Sequence, residues 1–90
     1  MWKITKNIID GKGSPVFASA DWNEKKSKQL AAKGKMFKFR MGDGDEKIYY
    51  YGISTDCDSE AAFDPLDDFG AASGCTYIEY QNKEGLWELL

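Results

Sequence analysis

Residues 35–54, KMFKFRMGDGDEKIYYYGIS, constrain the fold more than any other stretch of the chain. Phe37, Phe39 and Met41 alternate with Lys38 and Arg40, which is the period of two of a half-buried strand. GDGDE follows, with Asp43–Gly44 as its strongest hairpin signal, and KIYYYGIS returns as the second strand. Ile48 and Tyr50 face opposite to Tyr49 and Tyr51. Rings on both faces require a central strand or a face covered by a helix. An antiparallel hairpin of this kind needs further strands on its flanks.

The rest of the chain supplies them. In MWKITKNII, Trp2, Ile4 and Ile8 recur at period two and predict an early strand. DGKGSP reads as a loop, and Val16 to Ala18 as a short apolar piece that pairs back on that strand. In ADWNEKKSKQLAAKGK, Asp21 is the expected N-cap, Glu24 completes a capping-box pattern, and Gly34 stands where a glycine ends a helix. Only Trp22 and Leu30 are large and apolar there, so this is a surface helix. CTYIEYQ and LWELL, joined by a turn at NKEG, predict a second hairpin. Between the hairpins, Ser59 or Asp58 caps a short helix through Ala62 or Phe63, and Pro65 starts a further turn ending before Gly70. The expected class is α+β: one domain over residues 1–90, with an antiparallel sheet of four to six strands, one surface helix and one short helix.

Composition fits such a domain. With 42% hydrophobic and 14% aromatic residues, the chain carries enough apolar surface to fold. A chain of 90 residues has room for one modest core. Its longest apolar runs are too short for a signal peptide or a membrane span, so a cytoplasmic location is expected. Cys57 and Cys75 read as reduced thiols without a secretory signal, and a bridge between them requires that their Cβ atoms meet.

Charge is unevenly placed. The net charge is −3. Residues 1–40 nevertheless sum to +7 and residues 41–74 to −8. The densest part is TDCDSEAAFDPLDDFG, residues 55–70, with six carboxylates and no basic residue. Three chemistries compete for it. As a cation site, Asp56, Asp58 and Glu60 match the alternating ligand positions of a calcium loop, and Asp64 and Asp67 match its later ones. Ala61, however, stands where that loop needs a glycine, and the final aspartate is short for bidentate reach. Neither a metal nor a cofactor is therefore assigned, and a Ca²⁺- or Mg²⁺-binding loop over 56–67 is the alternative. As an enzyme, the chain has no histidine. It also holds no nucleophile beside a base, and nothing distinguishes Asp67 from Asp68 as acid and base, so no catalytic residue is assigned.

As an interaction surface, Asp56, Asp58, Glu60, Asp64, Asp67 and Asp68 focus negative potential toward a basic protein partner, with Phe69 as the apolar anchor. A further alternative is a small nucleic-acid-binding module over 25–40. There Lys25, Lys26, Lys28, Lys33, Lys35, Lys38 and Arg40 meet phosphates while Phe37 and Phe39 stack bases. Phe37 and Phe39 share a strand face that suits the core, and the acidic half repels a phosphate backbone within a Debye length of about 8 Å. Direct nucleic-acid binding is accordingly not expected.

The segments FKFR, YYYG, FDPLDDFG, GCTYIEY and LWELL, in this order over about residues 36–90, resemble a group of small uncharacterised bacterial, plasmid and phage proteins. The most specific piece is PLDDFG followed shortly by GCTYIEY. The resemblance implies a mobile-element setting similar to that of phage-encoded anti-defence proteins, including small anti-CRISPR proteins. Those are acidic, non-enzymatic single domains of the bacterial cytoplasm that block an effector complex. The expected function is inhibition of host defence, with the acidic surface denying DNA access to a CRISPR effector complex.

Overall fold

The computed structural model describes residues 1–8, 17–44 and 47–90. Five strands form one antiparallel sheet: β1 (Trp2–Asn7), β2 (Phe37–Gly42), β3 (Ile48–Ser54), β4 (Tyr77–Gln81) and β5 (Trp87–Leu89), in the order β1-β3-β2-β4-β5. Among the described residues between the first two strands stands the α-helix α1 (Glu24–Ala32). The α+β class and both expected hairpins are present. The DGKGSP loop, Val16 and the Asp45–Glu46 half of the first turn lie outside the described residues.

Strand pairing sorts the side chains onto two faces. In register across the sheet, Ile4 and Phe39 both lie opposite Gly52, Met41 opposite Tyr50 and Ile78, and Phe39 opposite Tyr80. These residues with Trp2 are buried and form the core. Gly52 is required there: a Cβ would collide with Phe39 Cζ, because the ring lies across the bare backbone. The opposite face carries Lys3, Lys6, Tyr51, Ile53, Lys38, Arg40, Glu79, Trp87 and Leu89, as their register partners dictate.

Three local expectations are corrected. The register of β1 slips between Ile4 and Lys6, so one extra residue reverses the facing of the strand beyond it, and Ile8 is 43% exposed instead of joining Trp2 and Ile4. The N-cap of α1 is Asn23, whose side chain accepts from the Lys26 amide, while Asp21 accepts from the Ser19 hydroxyl and sits 3.5 Å from the Met1 amino group. Glu24 turns away from the backbone to meet Lys3 at 2.7 Å and the Trp22 indole N–H at 3.0 Å, which hangs the helix from the sheet edge. Gly34 does follow the helix with a left-handed φ of 70°. Residues 17–19 pair along β1 as expected, with Ala18 bridging Lys3 and the Ser19 amide bonded to the Trp2 carbonyl. The third correction concerns the acidic segment, which is one continuous helical run from Glu60 to Ser73 and stops at Gly74, where φ is 91°, not before Gly70.

Candidate functional site

The acidic segment is a cap on the core face of the sheet. Its entry is fixed by buried Ser54, whose hydroxyl donates to the Asp56 carbonyl and accepts from the Asp56 amide. Ser59 then caps the turn Glu60–Phe63 by accepting from the Ala61 amide. The buried Tyr80 hydroxyl donates to the Ala62 carbonyl at 2.8 Å, so a core residue of β4 latches the first turn. Pro65 is fully buried. It is followed by a widened, π-type turn over Leu66–Gly70. Gly70 lets that turn close on the core, since a Cβ there would meet Met41 Sδ at 2.7 Å. The exit is pinned where the Cys75 amide bonds the Gly70 carbonyl and the Thr76 amide bonds the Gly42 carbonyl.

Phe69 is the aromatic bolt of this cap. Its ring stacks on Phe17 at 4.7 Å and meets Tyr50 edge-on at 4.9 Å, with Trp2 at 6.5 Å. The residue expected to anchor a partner is thus spent on holding the segment to the sheet. The ring that this segment presents outward is Phe63, 37% exposed.

The carboxylates divide into two kinds. Asp56 is half-buried, and its carboxylate accepts from the Ser59 hydroxyl and from the amides of Asp58 and Ser59. The Ser59 bonds hold its carboxyl below the ordinary 3.8. It organises the turn. Asp58, Glu60, Asp64, Asp67 and Asp68 are exposed. Among the described residues the ion pairs are Met1–Asp21, Lys3–Glu24 and Arg40–Glu79, and none reaches a carboxylate of the cap. Desolvation, then the charges of Asp68 and Asp67, push the Asp64 carboxyl above its ordinary value. Asp21 adds to that repulsion from a different part of the chain. The Met1 ammonium, which pairs with Asp21, opposes the shift by more than Asp21 adds, so the pair brings no net negative charge to the cap.

Other chemistries find less support. Among the described residues no three His, Cys, Asp or Glu side chains are grouped as metal ligands. Of the five acids proposed for a calcium loop, Asp56 is engaged by Ser59 and the backbone, and Asp58, Glu60, Asp64 and Asp67 are exposed along the turn and helical run. Cys57 and Cys75 are free thiols. Burial raises the Cys75 thiol to about 11, and burial with Asp58 and Asp56 raises Cys57, so neither is set up as a nucleophile. In the lysine-rich segment, Phe39 is fully buried and Phe37 packs against the core, so neither ring is open for a base. No described helix is long and apolar enough to cross a membrane. Comparison with protein-family models, with curated proteins and with solved structures gives no match.

Proposed function

We propose that this chain is a non-enzymatic inhibitor of host defence, of the anti-CRISPR type, acting in the bacterial cytoplasm by stoichiometric binding. Its acidic cap occupies a basic, DNA-accepting surface of an effector complex and blocks DNA access. The observation that carries this reading is the set of exposed carboxylates Asp58, Glu60, Asp64, Asp67 and Asp68, without an ion pair among the described residues, on a segment bolted to the sheet by Phe69 and Tyr80. Such a field speeds encounter with a cationic partner and penalises acidic ones, while a fixed backbone limits the entropy lost on docking. Asp56 shapes the turn that aims the others, and Phe63 supplies the apolar contact that charge alone lacks.

The test is capture of partners from a CRISPR-immune bacterial lysate with mass spectrometry, followed by a plaque assay in that strain. An effector subunit captured by the wild type, and lost in an Asp67→Lys/Asp68→Lys variant with unchanged circular dichroism, supports the reading. Undiminished capture by that folded variant removes the cap from the interface. Unaltered phage immunity removes the inhibitory role.

A further inference from the structure

The face of the sheet opposite the cap carries a constellation that the acidic-surface reading does not use. One row crosses all five strands: Lys6 opposite Tyr51, Tyr51 opposite Arg40, Arg40 opposite Glu79, and Glu79 opposite Leu89. Trp87, two residues before Leu89, leans inward from β5. The Arg40 guanidinium lies over its indole at 4.5 Å, and the Tyr51 ring is 6.1 Å away. Glu79 holds Arg40 in place at 2.7 Å. Ring, guanidinium and ring are thus arranged in advance across the sheet, and both rings are only half-buried. No described helix or loop has a ring contact with this pair.

Charge identifies what such a surface suits. Lys3 is matched by Glu24 and Arg40 by Glu79, whereas Lys6 and Lys38 are exposed and have no carboxylate partner among the described residues. The face is therefore cationic by the charge of Lys6 on β1, across Tyr51 from Glu79, and of Lys38 on β2, two residues along the strand from Arg40. Glu60, Asp64, Asp67 and Asp68 of the cap belong to the helical run over the core face of the sheet, whereas Asp58 lines a groove together with Lys38. Packed layers stand about 10 Å apart, more than a Debye length of about 8 Å, so through solvent the repulsion of phosphate by the helical run is largely screened here. For those four acids the separation weakens one of the two reasons for which the sequence alone does not expect nucleic acid, and the other concerns Phe37 and Phe39, which this face does not use. Half-buried rings beside unpaired lysines, with Arg40 already over the Trp87 indole, match unstacked bases joined by phosphates, and a duplex offers no such base faces.

We propose that this face binds a short single strand of nucleic acid, with bases on Tyr51 and Trp87 and phosphates against Lys6 and Lys38. Glu79 and Asp43, in the adjoining groove of about 560 Å³, keep the backbone on the lysine side. The site is independent of the acidic cap. It gives the molecule two opposed surfaces, one for a basic protein and one for the strand that such a protein carries.

Fluorescence anisotropy of labelled oligo(dT) and oligo(rU), and of a duplex, with the full chain at low salt tests it. Saturable binding to the single strands, weaker binding to the duplex, and a log–log salt slope of roughly −1.4 from two phosphate contacts are expected. Tyr51→Ala and Trp87→Ala each weaken binding about fivefold or more, while Tyr51→Phe retains it. Lys38→Glu, at an exposed position, gives the same loss if Trp87→Ala fails to fold. The proposal is overturned if folded wild type does not saturate, or if Tyr51→Ala and Lys38→Glu bind as wild type does. It is overturned equally if poly-glutamate binds in place of the oligonucleotides.

Discussion

Replacing Phe69 with alanine is the sharpest test of how the cap is held. Removing a buried phenylalanine ring costs about 3–5 kcal/mol through lost transfer energy and the cavity left behind. Phe69 is only half-buried, but it stacks on Phe17 at 4.7 Å and contacts Tyr50 at 4.9 Å. Each such ring pair adds about 0.5–1.5 kcal/mol beyond area, so a loss of about 2–3 kcal/mol is expected. In a domain of this size that lowers Tm by roughly 8–24 °C, a large share of a stability of about 5–13 kcal/mol. Far-ultraviolet circular dichroism gives the melt, and hydrogen exchange locates the loss in residues 55–75. Phe63→Ala is the control: at 37% exposure it is expected to cost less than about 1 kcal/mol while weakening partner capture. If Phe69→Ala melts within a few degrees of wild type, or Phe63→Ala is the more damaging change, the assignment of bolt and outward ring is wrong.

The core makes a second prediction. Gly52→Ala forces its Cβ into the Phe39 ring at Cζ and should cost about 1–3 kcal/mol in a urea melt. A Gly52→Ala/Phe39→Leu double variant should not restore the melt, because the added Cβ still meets the Lys3 carbonyl oxygen at 2.5 Å, and full recovery would contradict that packing. Ser59→Ala removes the cap of the first turn and the hydroxyl donor that most depresses the Asp56 carboxyl, leaving the residue-59 and Asp58 amide donors, with an expected cost of about 1 kcal/mol at neutral pH. Because the folded Asp56 value lies below 3.8, that stabilisation is present above this value and fades as pH falls through the folded one. The gap between wild type and Ser59→Ala should therefore narrow in acid to what the Ala61 cap alone contributes, and a gap that widens there contradicts the linkage. With native protein at pH 8, thiol reagents should modify half-buried Cys57 slowly, and Cys75, raised to about 11, only on unfolding. Equal rates for both would show that Cys75 is not shielded as described.

The sheet is legible in the sequence because its signals are local. Alternation in KMFKFRM marks which residues face inward, rings on both faces of KIYYYGIS mark an interior strand without saying which face is core, and turn chemistry at NKEG marks a hairpin whose Asn82 side chain accepts from the Glu84 and Leu86 amides. The misses are places where tertiary contact overrides a local signal. Gly70 reads as a helix stop, yet it lies inside the helical run because Met41 Sδ leaves no room for a side chain. Ile8 continues an alternation that a single extra residue near Thr5 interrupts. Phe63 and Phe69, each beside aspartates, read either as partner anchors or as pins onto the sheet, and the sequence does not say which is which, since nothing nearby announces Phe17 and Tyr50. The Tyr51–Arg40–Trp87 row was hidden for the same reason. It depends on β4 pairing with β2 across the cap, which no spacing encodes.

The charge distribution was visible only in one dimension, and its placement on opposite faces of the sheet is what makes the account functional. A carboxyl titration followed by NMR measures it most directly. With the cap exposed and unpaired, Asp64 titrates above 3.8, and Asp67→Asn/Asp68→Asn brings it back toward that value as the flanking charges go. An Asp64 value below 3.8 would mean that a cation sits on the cap, and would contradict the surface on which the proposed inhibition depends.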